Sequence, residues 1–286
     1  MDLIRTAADL RAATEGWRTA GASVGLVPTM GALHAGHRSL IQRARGERDR
    51  VVVSIFVNPL QFGPEEDLET YPRSEAADLA ASEREGVDLV WAPSVEEVYP
   101  PGVDLPAPDP GPVGKTFEGA ARPGHFEGVL KVVRRLFDLT GPSVAYFGDK
   151  DAQQRFLVRR MVAAEPGLGV TIVACPTVRE GSGLALSSRN ARLTPEERQQ
   201  ASCLFLALTE AAEHARAGER DAQVLVALMA REIGATTLAR LDYAAVVDEA
   251  TFTVAATIDA PSRAIVAARF PHARLIDNLP LPAPIA

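Results

Sequence analysis

The 286-residue chain is 47% hydrophobic and 23% charged, the balance of an ordinary folded protein, and its length calls for one large domain or two of unequal size. A net charge of −7 and a pI near 5.4 argue against a nucleic-acid partner, which needs a basic surface to release counterions. Cys175 and Cys203 are the only cysteines, no apolar stretch reaches the ~18 residues of a membrane span, and Asp2, Arg5, Asp9 and Arg11 leave no signal-peptide core. The expectation is a cytoplasmic protein without membrane contact or disulfide framework.

In chain order, Thr6 and Asp9 predict a capping box opening a helix through Trp17. Residues 23–27 are apolar and bounded by glycines, which predicts a buried strand; residues 39–45 lack breakers and predict a helix. Between them lies Pro28-Thr29-Met30-Gly31-Ala32-Leu33-His34-Ala35-Gly36-His37. A strand, a glycine turn and a helix in that order place unpaired N–H groups and partial positive charge where a phosphate can sit. His34 and His37, three residues apart, can face one ligand and donate to phosphate or carry a proton. Two solvated histidines, or a metal pair, are the competing readings; the second lacks the further ligands zinc needs.

Residues 50–57 form a near-continuous β-type run, completing a β-α-β unit; Asn58 and Gln61 follow it, with Phe56 and Phe62 as an apolar wall for a small substrate. Helices are expected over 75–85, 126–138 and 151–164, and strands over 87–91, 143–147 and 170–174. Residues 93–112 hold seven prolines and read as a surface excursion within the first domain. Lys131, Arg134 and Arg135, and Arg155, Arg159 and Arg160, read as solvated helix faces. Gly114-Lys115-Thr116 is not a P-loop, because Asp109 stands where its first glycine belongs, and no Gly-x-Gly-x-x-Gly fingerprint occurs.

Gly148-Asp149-Lys150-Asp151 follows the strand ending at Phe147; Lys150 suits charge neutralisation on a phosphoryl group, or a surface charge cluster with its neighbours. Gln154, one turn into the next helix, suits a hydroxyl or carboxylate. Past Val178, Gly183-Leu184-Ala185-Leu186-Ser187-Ser188-Arg189-Asn190 has the composition of a mobile anion-binding loop or of a helix-leading turn. Helical stretches over 195–217 and 222–233, then strands over 242–248 and 263–269, predict a small α+β domain, with an exposed Pro-rich tail over 279–286. The alternation predicts an α/β fold, a Rossmann-like doubly wound parallel sheet over residues 1–178 with a smaller α+β domain over 179–286; that second domain is expected to act as a lid.

Six segments occur in order: PTMGALHAGH, FVNPLQF with TYPR from Thr70 to Arg73, RPGHFEGV from Arg122, FGDKDAQQ, PTVRE from Pro176, and LSSRN. Together they closely resemble the pantothenate synthetase family, the AMP-forming pantoate–β-alanine ligases. That family belongs to the nucleotidylyltransferases, which share a HIGH-type motif and a KMSKS-type loop with class I aminoacyl-tRNA synthetases; His34–His37 and Leu186–Arg189 stand in for them here.

The resemblance implies attack of the pantoate carboxylate on Mg-ATP to give pantoyl adenylate and pyrophosphate, then attack by β-alanine to expel AMP. It places ATP along Met30, Gly31, Ala32, Leu33, His34, Ala35, Gly36 and His37, and on Gly148, Asp149, Lys150, Asp151, Val178, Leu186, Ser187, Ser188 and Arg189. His37, His34 and Lys150 are the implied catalytic groups, Gln61 and Gln154 the pantoate residues, with Gln61 also at β-alanine, and Asp78 a carboxylate on the Mg²⁺ side. A homodimer is the family expectation. Asp149 stands where Glu is common, Leu186 where Met is usual, and Ala77 where relatives carry a second carboxylate, which bears on the magnesium assignment. A nucleotidylyltransferase with another acceptor, or a non-catalytic ATP-binding module, would share the His34–His37 corner.

Overall fold

The computed structural model describes residues 1–63, 68–69 and 71–282. Thr70 of the TYPR segment and residues 283–286 of the tail lie outside the described residues. The chain divides into two compact units: Met1–Asp149 with Gln153–Pro176, and Lys150–Ala152 with the chain from Thr177 onward.

The first unit is a six-stranded parallel sheet in the order β1-β4-β3-β2-β5-β6. Its strands are β1 (Asp2–Ile4), β2 (Val24–Thr29), β3 (Arg50–Ile55), β4 (Leu89–Trp91), β5 (Val144–Gly148) and β6 (Thr171–Cys175). Consecutive strand residues face opposite sides, and Val51, Val52 and Val53 are all fully buried, so both faces of the sheet are covered. The covering helices are α1 (Ala7–Thr19), α2 (Ala35–Glu47), α3 (Glu75–Arg84), the one-turn α4 (Val95–Val98) and α5 (Glu118–Ala121), α6 (His125–Thr140) and α7 (Ala152–Ala164). Thr6 caps α1 by accepting from the Asp9 amide at 3.1 Å. Strands β2 to β4 advance in one direction and β5 and β6 lie on the other side of β2, so the order reverses between β2 and β5. In a doubly wound sheet that reversal opens a crevice beyond the carboxyl ends of the two strands.

One sequence expectation changes in this unit, that for the basic clusters. Strand β1 went unread, because a three-residue edge strand is too short for a periodic signal. Four of the five arginines in the two basic clusters are fasteners, while Arg159 is exposed, as a solvated face requires. Arg134 pairs with Asp138 and Glu165, Arg135 donates to the Val98 carbonyl, Arg155 pairs with Asp149, and Arg160 donates to the Pro110 carbonyl. Arg135 and Arg160 thereby tie the proline-rich excursion to the helices. Cys175 is buried, and burial pushes its thiol up to about 11, so it is not a reactive nucleophile.

The second unit packs α8 (Pro195–Gln200), α9 (Cys203–Arg216) and α10 (Ala222–Gly234) with the antiparallel sheet β7 (Arg240–Asp248), β8 (Ser262–Arg269) and β9 (Arg274–Leu281). Ala207, Ala211, Ala212 and Ala215 form a buried small-residue stripe on α9. The helix expected over 195–217 breaks between α8 and α9, where the Ser202 hydroxyl donates to the Gln199 carbonyl and competes with the backbone ladder. The tail expected to be exposed contributes residues 279–281 to β9, with Leu281 buried; pairing with β8 overrides the local proline signal.

Thr194 and Glu197 form a capping box on α8, and the Glu197 carboxylate also accepts from the His272 amide at 3.0 Å and contacts its ring Nδ1 at 2.8 Å. Burial pushes this carboxyl up, but the bonds from Thr194 and His272 outweigh it and hold it at about 2, against an ordinary 4.5. A depressed carboxyl stabilises the fold above its unfolded value and loses that contribution as pH falls toward the folded one. The gap in melting temperature between wild type and Glu197→Gln is therefore full at neutral pH and shrinks between about pH 4.5 and 2. A gap constant over that range would contradict the assignment.

Candidate active site

At the carboxyl end of β2 the chain turns through two left-handed residues, Gly31 at φ 82° and Ala32 at φ 50°. The Asp78 carboxylate on α3, only 2% exposed, holds this turn. Its Oδ2 accepts from the Ala32 amide at 2.9 Å and its Oδ1 from the Leu33 amide at 2.7 Å. A Cβ at position 31 would lie 2.9 Å from Asp78 Oδ2, so glycine is required by approach as well as by φ. The turn delivers His34 to the N-cap of α2, where the two histidines replace the usual Ser and Glu of a capping box. His34 Nδ1 accepts from the Gly36 amide at 3.1 Å, and His37 Nδ1 from the His34 amide at 3.4 Å. The rings stack with centroids 4.0 Å apart. With each Nδ1 accepting, a neutral ring carries its proton on Nε2.

Beyond β3, Gln61 ends a 3-10 turn (Pro59–Gln61) and is 8% exposed. Asn58 Nδ2 donates to Gln61 Oε1 at 3.1 Å and to the Gly128 carbonyl at 3.0 Å, and the Tyr99 hydroxyl donates to Asn58 Oδ1 at 2.9 Å. The Gln61 carbonyl accepts from Arg122 and contacts His125 Nδ1 at 2.9 Å. Gly128 lets α6 approach: a Cβ there would fall 2.1 Å from the Leu60 carbonyl oxygen. Gln61 Nε2 reaches Met30 Sδ at 3.1 Å, so the structure brings the residue assigned to pantoate against one assigned to ATP. On α7, Gln153 is buried and spends its amide on Val113, Thr116 and Glu118. Half-buried Gln154, the next residue, has no hydrogen-bond partner among the described residues.

Asp149 pairs with Arg155 at 2.8 Å. The Lys150 ammonium has no ion-pair partner among the described residues. In the second unit, residues 178–186 form a tight hairpin, with the Leu186 amide donating to the Val178 carbonyl and the Glu180 amide to that of Leu184, both at 2.9 Å. Gly183 (φ 90°) packs so closely on Phe205 that a Cβ would lie 2.2 Å from its ring. The Ser187 hydroxyl accepts from the Arg189 amide at 3.2 Å and starts a 3-10 turn (Ser188–Arg192), and Asn190 donates to the Ala185 carbonyl at 3.0 Å. The serines and Arg189 thus leave a braced hairpin rather than a loose glycine loop.

Both Asp78 oxygens accept from backbone amides and the side chain is buried, so what the structure shows for it is the bracing of the turn after β2. Its bracing of residues 32 and 33 was missed, as were the supports Tyr99, Arg122 and His125. The RPGHFEGV segment was visible, but its partner Gln61 lies 61 residues from Arg122 and no local pattern encodes that pairing. Asp78→Asn keeps the shape but sets an NH₂ group against one of the two amides. It should cost roughly 1–3 kcal/mol in stability and abolish hydrogen-exchange protection of the Ala32 or Leu33 amide. Unchanged protection at both amides would refute the brace.

The sequence matches the pantoate-beta-alanine ligase family over residues 2–280. It is 51% identical over 283 residues to pantothenate synthetase of Roseiflexus sp. strain RS-1, covering 99% of this chain and all of that one. It is 52% identical over 263 residues to the bifunctional pantoate ligase/cytidylate kinase of Synechococcus elongatus, covering 91% of this chain and 49% of that protein. Among solved structures, pantothenate synthetase of Thermus thermophilus matches with a TM-score of 0.92 at 48% identity, covering 99% of this chain and 100% of that one. Pantoate-beta-alanine ligase of Francisella tularensis, complexed with β-γ ATP and β-alanine, matches with a TM-score of 0.79 at 32% identity, covering 98% and 97%. The chain belongs to the pantoate-beta-alanine ligase family and is a ligase.

Proposed function

We propose that the chain joins pantoate to β-alanine at the expense of ATP, in two steps at one site. A carboxylate is a poor acyl donor because oxide is its leaving group. In the first step a pantoate carboxylate oxygen bonds to the α-phosphorus of ATP, the bond from that phosphorus to the bridging oxygen breaks, and pyrophosphate leaves. In the second the β-alanine nitrogen bonds to the acyl carbon, loses a proton, and AMP departs with the carboxyl oxygen. Magnesium enters on the ATP phosphates, and no residue is assigned to it.

The observation that carries this reading is the histidine capping pair on the Asp78-braced turn, beside a glutamine locked on both its main chain and its side chain. The reciprocal cap and the stacking fix both rings in place, and imidazoles held so beside developing phosphate charge need little reorganisation, the kind of preorganisation that lowers a phosphoryl-transfer barrier most. Lys150, Ser187, Ser188 and Arg189 offset phosphate charge, while Gly148, Asp149, Asp151, Val178 and Leu186 border the nucleotide. Gln61 and Gln154 hold pantoate, and Gln61 meets β-alanine as it arrives. The smaller C-terminal unit acts as a lid, and the chain pairs as a homodimer.

His37→Ala or Lys150→Ala should each lower kcat for adenylate formation by about 10² or more. Gln154→Ala should raise the pantoate KM or lower kcat while leaving the ATP KM within about twofold. Wild-type turnover in either of the first two variants would remove that residue from the chemistry, and unchanged pantoate kinetics in the third would refute its placement.

A further inference from the structure

Strand β9 carries two adjacent polar residues, Asp277 and Asn278, 3% and 4% exposed. Consecutive strand residues face opposite sides of a sheet, so the pair reaches two different segments from one point on the chain. Asp277 takes Arg179 in a two-pronged pair at 2.5 and 2.9 Å. The same guanidinium donates to the Gly183 carbonyl at 3.0 Å and lies 4.2 Å over the Phe205 ring, which clamps the hairpin leading to Ser187 and Arg189. Asn278 Nδ2 donates to the Lys150 carbonyl at 2.7 Å, while its Oδ1 accepts from buried Arg263.

Closing a three-stranded sheet does not require this arrangement. Well-packed apolar residues at such positions stabilise a fold as well as a buried ion pair does, or better, because neither partner is then desolvated. What the polar pair adds is location. One bond fixes the peptide from which the Lys150 side chain leaves, and the other fixes the hairpin that ends in the Ser187–Arg189 cluster. Both segments otherwise lie outside the sheet of this unit.

We propose that Asp277 and Asn278 are positioning residues for adenylate formation, setting Lys150 and the hairpin before Leu186–Arg189 where ATP phosphates meet them. The inference rests on the role given to Lys150 above. Asn278→Asp is the discriminating variant: it keeps an acceptor for Arg263 but cannot donate to the Lys150 carbonyl. Asp277→Asn weakens the Arg179 clamp independently, so that the test survives if one variant fails to fold.

Pantoate-dependent exchange of pyrophosphate into ATP, measured with melting temperature, reads the outcome. Displacement of a reacting group by a fraction of an ångström to an ångström lowers rate by about tenfold or more. We expect that loss in kcat, or an equal rise in ATP KM, with the pantoate KM within about twofold and folded protein at the assay temperature. Wild-type exchange kinetics in both folded variants would overturn the proposal. So would a loss that disappears on cooling in step with recovery of folded protein, the mark of a purely structural pair. Lys150→Ala serves as the reference: if it exchanges at the wild-type rate, the role of Lys150 itself fails, whereas an inactive Lys150→Ala beside wild-type exchange in both Asn278→Asp and Asp277→Asn defeats the positioning inference alone.

Discussion

The bonds from the Ala32 and Leu33 amides to the Asp78 carboxylate are the constraint on which the rest of the candidate site depends. They hold a turn that needs two left-handed residues, one of them an alanine, and strain of that kind persists only where surrounding structure over-determines it. A buried carboxylate facing two backbone amides does so, and the turn in turn sets the phase at which α2 begins. Shifting that start by one residue would move His34 off the N-cap and His37 off the third helical position, and the reciprocal cap would not form.

Topology supplies the other half of the arrangement. The strand order reverses between β2 and β5, so the carboxyl ends of two neighbouring strands open onto the same edge, one continuing into residues 30–37 and the other into Asp149. Around β3 the same economy recurs: Asn58, Tyr99 and the trio Arg122, His125 and Gly128 act on Gln61 or its turn from three segments, each with a bond or a close approach that a local substitution would break. Rigidity of that kind favours a small, partly apolar substrate held in one orientation, since binding then orders few side chains.

Much of this was legible in the sequence for identifiable reasons. Residues 50–55 are a β-branched run with no polar alternation, a capping box marks α1, and the breaker-free stretch 39–45 marks the middle of α2, whose histidine cap and first turn were not read. The segments around residues 30–37, 58–61 and 149–151 stood out because each sits where a strand ends and a turn begins. What stayed hidden was of two kinds. Partners distant in sequence, such as Asp78 with Leu33, Arg122 with Gln61, or Asn278 with Lys150, leave no periodic trace. Local signals overruled by tertiary pairing misled outright: Pro280 suggested an exposed tail, yet it lies within β9 opposite Arg263 of β8, and helical spacing of arginines suggested a solvated face where the guanidinium groups bolt loops down.

The central claim is that a carboxylate is activated on this chain as an acyl adenylate before any amine takes part. Pantoate-dependent exchange of labelled pyrophosphate into ATP, with β-alanine omitted, tests it most directly. The account predicts exchange that requires pantoate, with AMP accumulating in quantity only once β-alanine is added. Folded protein that binds ATP but exchanges no pyrophosphate with pantoate present would contradict it.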